Sequence, residues 1–126
     1  MPHLTNWENN SFYAKFWGEV PATEIEMVNT KFLGDFRFEE VRYSFWDMSR
    51  ISKLTAAESD IEYAAAIDKG ASTIRPRLRG AIVVPETGQV REMVEQYLAI
   101  SAQVDTSWDT RLFTNADAAK TWLASR

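Results

Sequence analysis

The side chains able to do chemistry are mostly carboxylates. The chain carries 18 acidic residues against 14 lysines and arginines, with one histidine and no cysteine. Glu39 and Glu40 are adjacent and so point apart in an extended segment, while Glu24 with Glu26, and Glu58 with Asp60 and Glu62, fall near predicted helix starts. Negative charge there complements the helix macrodipole, so a structural role accounts for these pairs better than an acid/base one. No acidic cluster has metal-loop spacing, and the Asp-x-Asp-x-Asp-Gly pattern of calcium loops is missing from the sequence. The lack of cysteine excludes thiolate nucleophiles, disulfides and cysteine-ligated zinc. His3 is the one imidazole, and it lies in a terminus expected to fray, which removes the usual general base and the commonest metal ligand. An enzyme built from this set would have to use carboxylates, Ser49, Ser52 or Lys53. The expectation is therefore no enzyme, no cofactor and no metal.

Two other groups of residues could hold a partner. In "STIRPRLRG" an extended backbone, favoured before Pro76, projects Arg75, Arg77 and Arg79 to one side, where they could hold a phosphate or carboxylate. The competing reading is a solvated helix-to-strand connection. Tyr13 and Trp17 share the polar face of an alternating segment with Lys15 and Glu19, so they are either covered by a helix or part of a contact surface. The net charge of −4 argues against general nucleic-acid binding, which needs a basic surface. No apolar run approaches the roughly 20 residues of a membrane span, no basic, apolar leader opens the chain, and the expectation is a cytoplasmic protein without membrane insertion.

The elements that position these groups alternate. "SFYAKFWGEV" (11 to 20) has the period of a strand. Pro21 then suits a helix start, Thr23 with Glu26 has capping-box spacing, and Ile25, Val28, Phe32 and Leu33 form a helical stripe ending at Gly34. "VRYSFWDM" (41 to 48) reads as a second strand, followed by a helix from about Ala56 to Ala71 with the stripe Ile61, Ala64, Ile67, Ala71 and Ile74. "GAIVV" (80 to 84) reads as a strand covered on both sides. A long amphipathic helix follows, with Val90, Met93, Val94, Tyr97, Leu98 and Val104 on its apolar side. "TRLFT" (110 to 114) is a fourth strand, and Asn115 caps a closing helix with Ala119, Trp122 and Leu123 inward. Strict β-α alternation predicts an α/β fold with a mostly parallel sheet in one domain, 11 to 126, preceded by an N-terminal extension, 1 to 10.

One stretch carries a resemblance. "WDMSRISKLTAAES" resembles the signature of STAS domains, the fold of bacterial anti-sigma-factor antagonists, which runs Asp-Leu-Ser-x-Val-x-x-Ile-Asp-Ser-Ser-Gly. Asp47, Met48, Ser49, Ile51 and Leu54 match its first half, and the layout of "GAIVV", the long third helix and "RLFTNADAAKTWL" is similar to that family's. The resemblance covers most of 11 to 126 and is nearest to small stand-alone STAS-like proteins related to lipid-binding CRAL-TRIO folds. It implies a β-α-β-α-β-α-β-α sandwich with a four- or five-stranded sheet, an antiparallel N-terminal edge strand and helices largely on one face. The antagonists' phospho-acceptor is the second serine of Asp-Ser-Ser-Gly. Here Thr55, Ala56, Ala57 and Glu58 stand in that place, so Ala57 lacks the accepting hydroxyl. Thr55 and Glu58 instead have the spacing of a capping box at the helix start.

The resulting expectation is a regulatory or protein-interaction domain. Its partner surface would include Asp47, Ser49, Thr55, Ala57 and Glu58, its anion site Arg75, Arg77 and Arg79, and its homodimer contact Tyr13 and Trp17. The alternative is a lipid or small-molecule binding module, with an apolar ligand at the carboxyl ends of the strands.

Overall fold

The computed structural model describes residues 2 to 125. Its chain order is β1 (His3–Glu8), β2 (Ser11–Pro21), α1 (Ala22–Gly34), a 3-10 turn (Phe36–Glu40), β3 (Tyr43–Thr55), α2 (Glu58–Ala71), β4 (Arg79–Val83), α3 (Gln89–Gln103), β5 (Asp109–Phe113) and α4 (Ala116–Ala124). The five strands lie in one sheet in the order β1-β2-β3-β4-β5, with β1 antiparallel to β2 and all other pairs parallel. Each step from β2 to β5 moves one place in the same direction. Crossovers of a single hand that all step the same way must leave their helices on one face of the sheet. α1, α2 and α3 accordingly share a face, and α4, which follows the last strand, folds back over the other.

The sheet sorts its side chains by alternation. On β4, Ile82 joins the large core under α1 and α3, while Ala81 and Val83 meet Ala119 and Leu123 of α4. On β2, Phe12 and Phe16 face the large core and Tyr13 turns to the other side, against Tyr43 and Phe45. The expected cap of α4 forms: the Asn115 side chain accepts from the Ala118 N–H at 2.9 Å.

Residues 3 to 10 correct the sequence reading. They do not form a frayed extension, because His3–Glu8 is the antiparallel edge strand. Asn9 and Asn10 make the two-residue hairpin loop, both with positive φ (53° and 60°), which Asn tolerates better than most residues. The strand is held to the body by Trp7, whose ring lies 5.2 Å from Phe12 and 5.7 Å from Phe32, and by His3, whose Nδ1 is 2.7 Å from Glu24 Oε2. β2 is thus an interior strand.

β3 is the second correction. It does not stop at Met48 but runs on to Thr55, paired beyond Asp47 with β2 alone. Two register shifts, between Lys15 and Trp17 and between Gly18 and Glu19, each place an extra residue in β3. Each extra residue turns a two-residue repeat into three, so Met48, Ile51 and Leu54 all face inward and are buried. Gly18 takes φ +73° at the second shift, a conformation in which a side chain is strained. The cap of α2 moves accordingly. Ala57, not Thr55, is the N-cap, and its N–H donates to Asp60 Oδ2 at 2.8 Å, while Glu58 begins the helix. The Thr23 with Glu26 box is also not formed, since α1 starts behind Pro21 with no side-chain cap.

Candidate functional site

α1 lies over β2, α2 leans on α3, and the space between α1 and α2 above the sheet is a cavity of about 370 Å3. Its floor is Trp46 and Met48 of β3, Ile82 of β4 and Thr110 of β5. One wall is the α1 face bearing Ile25, Asn29 and Leu33, and the other is the α2 face bearing Ile61, Ala64 and Asp68. Met93 and Tyr97 of α3 close the back. Tyr63 and Ile67 also line the cavity, yet are 56% and 37% exposed, so they form an apolar rim open to solvent. A concave, mostly apolar site of a few hundred Å3 with a few converging polar groups is what small-molecule sites generally look like.

The polar groups converge on Asp68. This carboxylate is 8% exposed in the last turn of α2. Asn29 of α1 donates its Nδ2–H to Oδ1 at 3.0 Å, and the Tyr97 hydroxyl of α3 donates to Oδ2. One side chain therefore ties three helices together. Burial pushes the Asp68 carboxyl above its ordinary value of 3.8, while the bonds from Tyr97 and Asn29 pull it the other way. Burial, and then the adjacent carboxylate, hold the Tyr97 phenol well above 10.0, so it stays a donor.

The residues expected to form a partner surface are spread out. Asp47 and Ser49 belong together: Asp47 Oδ1 accepts from the Ser49 N–H at 3.0 Å and from its hydroxyl at 2.6 Å. That pair satisfies backbone freed at the first bulge. Thr55, Ala57 and Glu58 are exposed, but lie at the far end of β3, roughly 20 Å from Asp47 at the usual rise of the paired β2 segment Lys15 to Pro21. The three arginines diverge as well. Arg75 Nε donates to the Val41 carbonyl at 2.9 Å. Arg79 donates to the carbonyls of Trp122 and Ser125 at the end of α4, with its guanidinium 4.6 Å above the Trp122 ring. Arg77 is exposed at φ +59°. Tyr13 is half-buried and its hydroxyl is 2.6 Å from that of Tyr43; burial and that bond push its phenol up to about 12. Trp17 remains 40% exposed.

Sequence reasoning missed Asp68, Asn29 and Tyr97 as a group. The signal was a carboxylate on a helical apolar face. The buried side of α2 is Ile61, Ala65, Asp68 and Ala71, and Ile67 and Ile74, assigned to the buried stripe, are exposed. The cavity lies over the sheet face and reaches the carboxyl end of β3, where Leu54 and Ala56 line it.

Searches of family models and of curated proteins find no match to this chain. Among solved structures it is similar to an uncharacterized protein of the DUF3478 family with a SpoIIAA-like fold, from Shewanella loihica PV-4. The two share 15% identity with a TM-score of 0.57, over 97% of this chain and 94% of that one. The chain has a SpoIIAA-like, that is STAS-like, fold, as the signature around Asp47 implies. Among the described residues no helix is long and apolar enough to cross a membrane.

Proposed function

We propose that this protein is a non-enzymatic STAS-like binding module whose ligand is a small apolar molecule held between α1 and α2. The observation that carries this reading is the cavity itself: about 370 Å3, floored by the sheet, rimmed by exposed Tyr63 and Ile67, with one buried polar cluster at Asp68. Both carboxylate oxygens of Asp68 are engaged by Asn29 and Tyr97, which suits a positioning group better than a free acid or base. Binding through a protein surface around Asp47–Glu58 has less support, because those residues are dispersed along β3 and the start of α2.

N-phenylnaphthylamine, a neutral apolar dye that brightens out of water, tests the reading. Its emission should rise and saturate with the wild-type protein. Ala64→Phe, which fills the cavity from α2, should weaken binding by about tenfold or more. Ile25→Trp does the same from α1, should Ala64→Phe fold poorly. Absence of saturable binding, or wild-type affinity in both variants, contradicts the proposal.

A further inference from the structure

The charged side chains described as lining the cavity are all of one sign. Glu26 of α1 and Asp60 and Asp68 of α2 line it, and among its described lining residues there is no lysine, arginine or histidine. Asp68 sits in the last turn of α2, at the end of the helix where the backbone dipole already favours a cation over an anion. The rings of Phe32, Trp46, Tyr63, Tyr97 and Trp108 line the same cavity, and aromatic rings attract an ammonium group. A fatty acid or phosphate head beside Asp68 would meet a buried like charge and no counter-charge among the described lining residues, and like charges juxtaposed in a desolvated site cost several kcal/mol. A buried carboxylate gains most from a ligand that brings the opposite charge with it.

Resting on the cavity reading above, we infer that the ligand is an apolar amine, with its hydrocarbon over Trp46 and Ile82 and its ammonium group directed to the Asp68 carboxylate. A carboxylate-headed or phosphate-headed lipid is disfavoured. Asp68 uses one lone pair of each oxygen for Asn29 and Tyr97, and a carboxylate offers about four such sites, so acceptor capacity remains for an incoming N–H.

Decylamine, decanol and decanoate, each below its micelle concentration at neutral pH, are compared as displacers of bound N-phenylnaphthylamine. The amine should displace at concentrations at least about tenfold lower than the acid, with the alcohol between them. Since the whole chain is acidic, two controls separate the site from the general field. The preference should persist in 1 M salt, where exposed charges are screened beyond about 3 Å. It should also collapse in Asp68→Asn, read as the ratio of amine to acid displacement within that variant. Decanoate competing as well as decylamine overturns the inference and leaves the apolar cavity standing. A preference that salt abolishes, or that survives Asp68→Asn, overturns it too. If the dye itself fails to bind the wild type, the cavity reading falls and this inference falls with it.

Discussion

Asp68 is the residue on which the chemistry of the site depends. A carboxylate on the buried face of a helix is expensive when ionised, and its two donors offset only part of that cost. The pH dependence follows from the direction of its shift. The folded-state value lies above 3.8, so between 3.8 and that value the folded protein binds more protons than the unfolded chain. Asp68 thus contributes a stabilisation that is full below 3.8 and lost as pH rises through its folded value. Denaturant melts of wild type and Asp68→Asn should diverge in this sense: acidification from neutrality should favour the wild type relative to the variant. Parallel stability curves across that range would show that Asp68 titrates as it does in the unfolded chain. The residue was legible in principle, since Asp68 stands seven positions after Ile61 and three after Ala65. Its partners were not. Asn29 and Tyr97 lie 39 and 29 positions away in sequence, and only the packing of α1 and α3 on α2 brings them to it.

At the scale of elements, the sequence showed which segments alternate but not where β3 ends. Met48, Ile51 and Leu54 repeat every three residues, which signals a helix or a turn more readily than a strand. Two bulges produce that spacing in extended chain, and bulges depend on the neighbouring strand. The cap of α2 was misplaced by two residues for the same reason. At Ala57 the backbone is already in the extended conformation of an N-cap, φ −93° and ψ 164°, but the side chain has nothing to offer the helix. Ala57→Ser should therefore stabilise by about 1 kcal/mol, the usual value of such a cap. Thr55→Ala, by contrast, should stay within about 0.5 kcal/mol of wild type, as expected of an exposed strand-end position without a special role. Denaturant midpoints decide both, and a Thr55→Ala loss near 1 kcal/mol would restore Thr55 as the cap. The hairpin of β1 and β2 had a readable sign in Asn9-Asn10, but without glycine the pair is a weaker turn signal than Asn-Gly.

Across the whole molecule, the single direction of the crossovers explains why one face carries three helices and a cavity while the other carries α4 alone. This was the most legible level, because β-α alternation fixes layers before any side chain is placed. The homodimer expectation is narrower now that β2 is interior and Tyr13 is bonded to Tyr43, leaving Trp17 as its exposed aromatic. If Trp17 forms the contact, the wild type sediments as a dimer and Trp17→Glu as a monomer; a monomeric wild type at high concentration ends that idea. Ligand binding between α1 and α2 is the central claim, and methyl-resolved NMR tests it most directly. On titration with N-phenylnaphthylamine, the methyl signals of Ile25, Ile67, Ile82 and Met93 should shift together and saturably, while those of Leu4 and Leu123, outside the cavity, stay in place. Shifts confined to the outer surface near Leu4 and Trp17, or no saturable shifts at the cavity methyls, would contradict it.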